Sequence, residues 1–599
     1  MHRIAGWLAK PSQHSETALA RMWARCSAAF PDQGVGDPTG AVAASHSVAR
    51  EGMLIAAVCG RPRLGDRFLT SASAAGEVLA LWRQHGVDAP KHIHGNFSLA
   101  ILDLAAERVF LALDRIGAEK LAYAVLPNGV AFASQADMVA AHPELDERLD
   151  PQGLFNFIYF YQAPAPGSIF EKVGKLLPGQ WLEWQRGEVR QGFYWALHYR
   201  DTPRNDFDEQ SRVFHELLRD GVRRARGEDR VAAFLSGGTD SSTVSGVLRE
   251  LAGQARTYSI GFDASGFDEI EYARIAARHF GLDSREYYLQ REDVLAAIPV
   301  IAEHYDEPFA NESAIPTYFC AKRAAEEGYT VMLAGDGGDE IFGGNERYAT
   351  QKIFEAYHLL PAMLRQGVLE PLLRMPGLDA VSLLRRAQSY VRRANTPLPD
   401  RMESYNHVYL QPLEQMFTAD FLAQVEATQP TSLLREVYFR ADSQSFINRM
   451  LHLDLKFTLA DNDLRKVGAM TEAAGVEVRY PLLDDAMVEF SGQVPPDWKV
   501  KGRYLRWFFK KALTGYLPDE IINKSKHGFG LPFGIWAKEY APLRERIQDR
   551  VSAFAGRGIL APGFIEGIRR QHETGHATYY GRMLWLMMIL EEWLAFRKL

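Results

Sequence analysis

The segment Phe234-Leu-Ser-Gly-Gly-Thr-Asp-Ser-Ser-Thr243 combines residue types that can bind phosphate. Two adjacent glycines let the main chain approach an anion closely, and the hydroxyl groups around them are further hydrogen-bond donors. Asp240 is an unusual neighbour for phosphate, and its carboxylate is best explained by a Mg²⁺ ion between the two anions. The residues predicted to contact the phosphates are Ser236, Gly237, Gly238, Thr239, Asp240, Ser241 and Ser242.

The elements around this segment predict how it is held. Val231 to Leu235 is an apolar run typical of a buried strand, and a helical pattern begins at Asp240. A strand, a glycine turn and a helix start in this order direct backbone N–H groups and the positive end of a helix dipole at one point. A turn that only caps a helix is the alternative. No Gly-Lys-Ser/Thr follows, so the segment is not a Walker loop.

A second glycine-rich segment, Ala334-Gly-Asp-Gly-Gly-Asp-Glu-Ile-Phe-Gly-Gly344, also follows an apolar strand. Between the two segments, apolar strands alternate with helical patterns, which indicates a parallel sheet. Ligands of such sheets bind at the carboxyl ends of the strands, so both segments should lie close together. Asp339 could then share a Mg²⁺ ion with Asp240. An acidic surface turn is the alternative.

These two segments resemble those of known enzymes. The Ser-Gly-Gly-x-Asp-Ser-Ser string resembles the pyrophosphate-binding loop of the ATP pyrophosphatases, and both segments together resemble the asparagine synthetase family. The resemblance implies ATP as a substrate and Mg²⁺ held by Asp240 and Asp339. It places Asp336 where a carboxylate could deprotonate the attacking amine. The residues that match an adenine pocket are Phe234, Ile260 and Gly335.

Two further segments extend the resemblance. Ile522–Pro532 is a glycine-rich cationic loop in which Lys526 matches the catalytic lysine, with Lys524 as a near alternative. Leu464–Asp484 resembles a synthetase segment to which Glu477, Arg479, Pro481 and Asp484 match, and the resemblance implies structural ion pairs for its charged residues. An Asp-Arg pair that helps to seat a free amino acid in the family is Gly468-Ala469 here, which predicts a larger substrate. Glu472 is a weaker candidate for an acid–base role.

The first third of the chain is rich in short apolar runs separated by Gly, Pro and Asn, which predicts strands. Asp114-Arg-Ile-Gly117, Phe132-Ala-Ser134 and Ala163–Phe170 resemble the glutaminase domain of asparagine synthetases, which has an N-terminal nucleophile hydrolase fold. In that domain the nucleophile is a cysteine exposed at the first position. Because His2 stands in that frame here, we expect no glutamine hydrolysis, and a scaffold or docking role for this domain.

The predicted fold class is therefore an α+β glutaminase-like sandwich, residues 1–203, followed by an α/β ATP-pyrophosphatase domain with a large helical C-terminal part, residues 204–599. The net charge of −7 argues against a nucleic-acid partner. No apolar run is long enough to cross a bilayer. The three cysteines lack metal-ligand spacing, which fits a reducing cytoplasm.

The resemblance implies an ATP-dependent, AMP-forming carbon–nitrogen ligase. Family members that lack the cysteine include lasso-peptide cyclases, which close a macrolactam between a peptide N-terminal amine and an Asp or Glu side chain. We expect this activity on a precursor peptide, with a leader-peptide protease and a recognition protein as possible partners. The alternatives are an asparagine synthetase-like ligase on a metabolite or polysaccharide precursor, a β-lactam synthetase-like enzyme, a non-enzymatic scaffold and a tRNA-modifying pyrophosphatase.

Overall fold

The computed structural model describes residues 2–10, 17–26, 30, 34–202, 206–263, 269–373, 382–524 and 530–599. Its first unit consists of antiparallel strands and its second unit is built on a parallel sheet. The strands of the first unit are β1 Ile4–Ala9, β2 Gly34–Asp37, β3 Gly40–Ala44, β4 Ser47–Glu51, β5 Leu54–Gly60, β6 Arg63–Leu64, β7 Arg67–Phe68, β8 Phe97–Asp103, β9 Arg108–Leu113, β10 Ala122–Leu126, β11 Gly129–Ala133, β12 Gly174–Lys175, β13 Gln180–Gln185 and β14 Glu188–Phe193.

Two six-stranded sheets form a sandwich in the first unit. Their strand orders are β12-β10-β11-β1-β3-β2 and β14-β13-β9-β8-β5-β4, and neighbouring strands pair antiparallel. Apolar side chains from both sheets, such as Ile4 and Val130 from one and Ile55 and Leu111 from the other, meet in one buried cluster. Burial of alternate residues on facing strands is what holds two such sheets together. The predicted sandwich is confirmed.

The second unit contains a five-stranded parallel sheet with the order β17-β16-β15-β18-β19. Its strands are β15 Val231–Phe234, β16 Arg256–Phe262, β17 Asp283–Leu289, β18 Val331–Leu333 and β19 Glu477–Arg479, and a separate hairpin pairs β20 Val500–Lys501 with β21 Tyr504–Leu505. The order reverses at β15, which lies between β16 and β18. The predicted α/β sheet is confirmed, and its switch point lies at the predicted phosphate-binding segment.

Helices cover the parallel sheet and build most of the C-terminal part. Helix Phe207–Arg226 begins at Asp206, whose carboxylate caps it, and it buries Phe214, Leu218 and Val222 at a spacing of one helical turn. The other α-helices of ten or more residues are Ala74–His85, Pro151–Phe160, Thr239–Ala252, Ile270–Phe280, Arg291–His304, Ala314–Glu326, Glu346–Tyr357, Ser382–Asn395, Gln429–Arg440, Leu464–Ala473, Ala541–Ala555, Pro562–Thr574 and Ala577–Arg597, and a π-helix spans Asp454–Asp463.

The two units are in direct contact. The Lys456 ammonium donates hydrogen bonds to the carbonyl oxygens of Arg115 at 2.5 Å and Pro178 at 3.1 Å, and Arg115 forms an ion pair with Glu489 at 2.6 Å. The predicted boundary between residues 203 and 204 lies outside the described residues. Within the described ranges, no helix is both long and apolar enough to cross a bilayer.

Candidate active site

The two glycine-rich segments meet at the carboxyl ends of β15 and β18. A Cβ atom on Gly335 would lie 2.7 Å from the backbone nitrogen of Ser241, and one on Gly338 would lie 2.4 Å from Asp240 Oδ1. Such distances are too short for any side chain, so glycine is required for the two segments to approach. A cavity of about 430 Å³, called here the nucleotide cavity, opens beside them.

The phosphate-binding segment is a tight turn that leads into helix Thr239–Ala252. Gly237 has a φ of +70°, and a Cβ there would lie 2.4 Å from the Ala273 nitrogen, so only glycine fits. Ser236 Oγ and Ser241 Oγ are 3.0 Å apart and brace the turn. The hydroxyl of Thr239, a cavity-lining residue, is buried without a hydrogen-bond partner among the described residues. An unpaired donor at a helix N-terminus suits an anion.

The position of Ser242 corrects part of the sequence-based prediction. This residue is fully buried and is not part of the cavity lining, and its N–H donates to the Gly238 carbonyl oxygen at 3.1 Å. Gly237 is also outside the lining because it packs on Ala273. The structure thus places Gly237 and Ser242 outside the lining of the nucleotide cavity. The other members of the segment, Ser236, Gly238, Thr239, Asp240 and Ser241, line the cavity.

Asp240 and Asp339 converge on a single guanidinium group. Arg506 Nη1 lies 2.5 Å from Asp240 Oδ2 and 3.1 Å from Asp339 Oδ1. Arg506 is 8% exposed, and its backbone has a φ of +52°, a left-handed conformation that costs energy for any residue other than glycine. Burial lowers the pKa of Arg506, but both carboxylates outweigh this effect and raise it overall. The group therefore stays charged between the two aspartates.

These residues fit a magnesium ion bound together with a nucleotide. Mg²⁺ commonly binds one or two protein carboxylates and takes its other oxygen ligands from water and phosphate. Asp240 and Asp339 supply two such groups beside the phosphate-binding turn. The described residues contain no cluster of three or more His, Cys, Asp or Glu side chains that could hold a metal by themselves. The site is thus suited to a metal that arrives with its substrate.

Asp336 lines the same cavity, in the loop that follows β18. Burial raises the pKa of its carboxyl group to about 6, although the charge of Lys466 acts in the opposite direction. Lys466 forms an ion pair with Asp463 at 3.0 Å. A carboxylate with a pKa near neutrality can accept a proton from an attacking amine. The predicted base is therefore placed beside the nucleotide position with suitable acidity.

The adenine side of the cavity is apolar. Phe234 at the end of β15, Ile260 in β16 and Gly335 after β18 all line it, together with Tyr258 and Cys320. Three neighbouring strands thus place the three predicted adenine contacts on one wall. A flat apolar wall next to a phosphate-binding turn suits a purine ring.

The cationic loop is described only in part. The predicted catalytic residue Lys526 lies outside the described residues. Lys524, the alternative, lines the nucleotide cavity, and its ammonium forms an ion pair with Glu269 at 2.9 Å. It also lies 4.3 Å from the centre of the Tyr272 ring. The loop therefore starts at the cavity, and at least one of its lysines faces it.

Glu472 lies elsewhere, which argues against an acid–base role. It lines a separate cavity of about 400 Å³ between the two units, called here the interdomain cavity, where Arg3 Nη2 is 2.8 Å and His304 Nε2 is 3.7 Å away. Burial alone would raise the pKa of Glu472, but the charge of Arg3 and the contact with His304 outweigh it and lower the pKa to about 2. Gly468 and Ala469 line this cavity too.

The predicted structural ion pairs of the same segment are confirmed. Arg479 Nε lies 2.6 Å from Glu477 Oε1, and Asp484 binds Arg224 at 2.8 Å. Four cations that line the nucleotide cavity were not predicted from the sequence, namely Arg347, Lys466, Arg506 and Lys510. Lys466 is part of the quoted segment, but nothing in its spacing shows that it faces the nucleotide. Arg506 is 266 residues from Asp240, and no local pattern reports such a contact.

The described part of the first unit contains no cysteine suited to nucleophilic attack. Cys59 is fully buried, its thiol donates to the Arg3 carbonyl oxygen at 2.9 Å, and burial raises its pKa to about 12. Cys26 donates to the Trp23 carbonyl oxygen. The residue two positions before β1 is His2, whose Nδ1 is 2.8 Å from Glu119 Oε1. Burial lowers the pKa of His2, but Glu119 outweighs this effect and raises it overall.

Two features together define the class of protein. One is a candidate nucleotide site at the switch point of a parallel sheet, and the other is an antiparallel sandwich that precedes this sheet in the chain. The family model described as asparagine synthase matches residues 213–595, and the model described as glutamine amidotransferase domain matches residues 62–195. The chain therefore belongs to the asparagine synthase family. Members of this family are ATP-dependent carbon–nitrogen ligases that release AMP and pyrophosphate, and the predicted enzyme class is confirmed.

Two of the following relatives match most of the chain, and the third matches about half of it. "Asparagine synthetase [glutamine-hydrolyzing] 1" of Bacillus subtilis (strain 168) is 26% identical over 86% of this chain and 80% of its own length. "Amidase chyE" of Penicillium rubens is 25% identical over 82% of this chain and 76% of its own. "Putative asparagine synthetase [glutamine-hydrolyzing] 2" of Methanocaldococcus jannaschii is 33% identical over 48% of this chain and 57% of its own.

Proposed function

We propose that the protein activates a substrate carboxylate with Mg–ATP and joins it to an amine that a substrate carries, rather than to ammonia released from glutamine. The observation that carries the first half of this proposal is the convergence of Asp240 and Asp339 beside the phosphate-binding turn. The second half is supported by the buried, high-pKa thiol of Cys59 and by the ion-paired His2 ahead of β1. Thioester formation from glutamine has no suitable thiol in the described residues.

The reaction has two steps. A carboxylate oxygen of the substrate attacks the α-phosphorus of ATP, and pyrophosphate leaves. The acyl group then carries AMP, which is a better leaving group than the carboxylate oxygen alone. The amine then attacks the acyl carbon, AMP leaves, and the amine proton passes to Asp336. Arg506 and Lys466 hold the phosphate charge in place, and a Mg²⁺ ion bound by Asp240 and Asp339 would neutralise part of it. The cavity walls restrict water, so that hydrolysis of the adenylate does not compete.

For the substrate we propose a peptide that is closed into a macrolactam, as in lasso-peptide cyclases. This proposal is supported by the lack of a suitable glutaminase thiol among the described residues and by a second large cavity, which shares only Arg347 and Thr458 with the lining of the nucleotide cavity. A leader-peptide protease and a recognition protein are then the expected partners. An amide-forming ligase on a metabolite or polysaccharide precursor is the second candidate, favoured by the similarity to asparagine synthetases and to "Amidase chyE".

The test compares amine donors at saturating Mg–ATP. We expect AMP and a product lighter by one water with a peptide that has a free N-terminal amine and an internal Asp or Glu. The same peptide with an acetylated N-terminus should give no product. Glutamate released from glutamine together with AMP would overturn the proposed amine source, and amide formation on a small acid with ammonium alone would favour the second candidate.

A further inference from the structure

A second cavity lies beside the nucleotide cavity and shares Arg347 and Thr458 with its lining. It has a volume of about 480 Å³ and is called here the aromatic cavity. Its walls include the rings of Tyr159, Tyr161, Tyr405, Phe457, Tyr579 and Trp585. The two shared residues show that the aromatic cavity is adjacent to the nucleotide cavity.

The wall between the two cavities is the π-helix Asp454–Asp463. Phe457 and Asn462 line the aromatic cavity, Leu459 and Asp463 line the nucleotide cavity, and Thr458 lines both. A ten-residue π-helix is rare, and π-helical geometry is frequent at functional sites. Because the turn of a π-helix is wider, neighbouring residues point into two different cavities. This one element therefore borders both the aromatic cavity and the nucleotide cavity.

The aromatic cavity contains two carboxylates that the protein does not neutralise by ion pairs. Glu312 has no hydrogen-bond or ion-pair partner among the described residues, and burial raises its pKa to about 7 against the weaker effect of Arg582. Glu403 accepts a hydrogen bond from the Asn406 amide at 3.2 Å, and burial raises its pKa as well. Arg347 is already bound by Asp454. Both glutamates are partly buried, and a cationic ligand would offset the cost of holding a carboxylate in such a site.

The position of Glu312 is fixed by its neighbours. The side chain of Asn311 donates to Asn462 Oδ1 at 2.6 Å, which ties this segment to the π-helix. The Trp585 indole N–H donates to the Ala310 carbonyl oxygen at 3.0 Å. These hydrogen bonds anchor the residues just before Glu312 at the edge of the aromatic cavity. Tyr405 and Tyr579, with 58% and 43% of their surface exposed, line the cavity where it reaches solvent.

We propose that the aromatic cavity binds the amine-bearing part of the substrate, an ammonium group attached to an aromatic or other apolar body, with Glu312 and Glu403 receiving the ammonium. Aromatic faces attract a cation and bury an apolar body at the same time. This inference rests on the proposed function for the source of the amine, but binding in the cavity is a separate property. The aromatic cavity thus indicates a substrate class, an amine with an aromatic or other apolar body, that the nucleotide site alone does not define.

The interdomain cavity is a weaker candidate for this role. It shares no lining residue with the nucleotide cavity, and its charged groups already form pairs within the protein. Examples are Arg3 with Glu472 at 2.8 Å and His2 with Glu119 at 2.8 Å. Carboxylates that are already paired with a cation offer less to an ammonium ligand than the side chain of Glu312 does.

The test measures binding of tryptamine to the full chain by titration calorimetry in the presence of Mg²⁺ and α,β-methylene-ATP. Tryptophol is the neutral comparison, because it has the same ring and a hydroxyl group in place of the ammonium. We expect tryptamine to bind at least about tenfold more tightly than tryptophol, since a hydrogen-bonded charge pair contributes about 1.5–3 kcal/mol. Equal affinities would overturn the assignment.

Variants assign the binding to named residues. Glu312→Gln should weaken tryptamine binding about tenfold, leave tryptophol binding unchanged and leave nucleotide affinity unchanged. The matched control is Glu303→Gln, an exposed glutamate outside the cavity. Tyr405→Ala should weaken both ligands, and Glu403→Gln serves as a second carboxylate test if Glu312→Gln does not fold. Equal effects of Glu312→Gln and Glu303→Gln on tryptamine binding would refute the assignment of the aromatic cavity. Failure of the unmodified protein to bind the nucleotide would instead refute the proposed function.

Discussion

Substitution of Gly335 by alanine tests whether the two glycine-rich segments must touch for activity. A Cβ at this position would lie 2.7 Å from Ser241 N and 2.9 Å from the Asp240 carbonyl carbon. Ordinary contact begins at about 3.4 Å, so the segments must separate by about 0.7 Å. Both obstructing atoms belong to the backbone and cannot rotate away. We expect overpacking to lower the free energy of unfolding by about 1–3 kcal/mol.

The same displacement moves the phosphate-binding turn away from Asp339. A misplacement of about 1 Å at a reacting centre can lower the rate roughly 100-fold, so substrate-dependent AMP formation should fall by that order. Gly567 is the matched control, because a Cβ there meets nothing within 4 Å and the residue lies inside helix Pro562–Thr574. Gly567→Ala should keep full activity and gain about 0.5–1 kcal/mol.

Chemical denaturation measures the first effect and chromatographic quantification of AMP measures the second. Wild-type stability and activity in Gly335→Ala would refute the argument that contact between the segments forms the site. A loss of activity without a loss of stability would show that the phosphate-binding turn moves without strain. The conclusion that the two segments must touch for activity would then stand.

Three further predictions concern the reacting groups. Asp240→Asn and Asp339→Asn should each lower AMP formation by about 100-fold or more and raise the Mg²⁺ concentration needed for half-maximal rate, because each removes a carboxylate that would bind the Mg²⁺ ion; an unchanged Mg²⁺ requirement would contradict this. The rate should increase with pH through about 6 as Asp336 loses its proton, and Asp336→Asn should remove this dependence from the pH–rate profile. Lys526→Ala should abolish product while His2→Ala should not, and the reverse pattern in a product assay would show that the roles of the two units are wrongly assigned.

Local chemistry made much of the fold predictable. The buried strand predicted at Val231 to Leu235 differs by one residue from β15, and the short apolar runs in the first third of the chain form the strands of the sandwich. These are apolar runs that end at turn-forming residues, so periodicity and turn chemistry act together. The two glycine-rich segments were predictable for the same reason, because a strand, a turn and a helix start are adjacent in sequence.

The errors have physical causes. Ser242 was grouped with Ser241 because both follow Asp240, but successive helical residues point about 100° apart and only Ser241 faces the cavity. Glu472 was considered a candidate acid–base group, yet its charge is neutralised by Arg3, which lies in the other unit. Arg506 gave no signal at all, since its contact with both aspartates joins distant parts of the chain.

The most direct measurement of the central claim is a crystal structure of the protein with Mg²⁺ and α,β-methylene-ATP. The account predicts phosphate oxygens at the turn formed by Ser236, Gly238 and Thr239, with a metal ion bound by Asp240 and Asp339 and the guanidinium of Arg506 beside it. The adenine ring should lie against Phe234. A nucleotide bound elsewhere with this turn empty, or a metal ion that contacts neither aspartate, would contradict it.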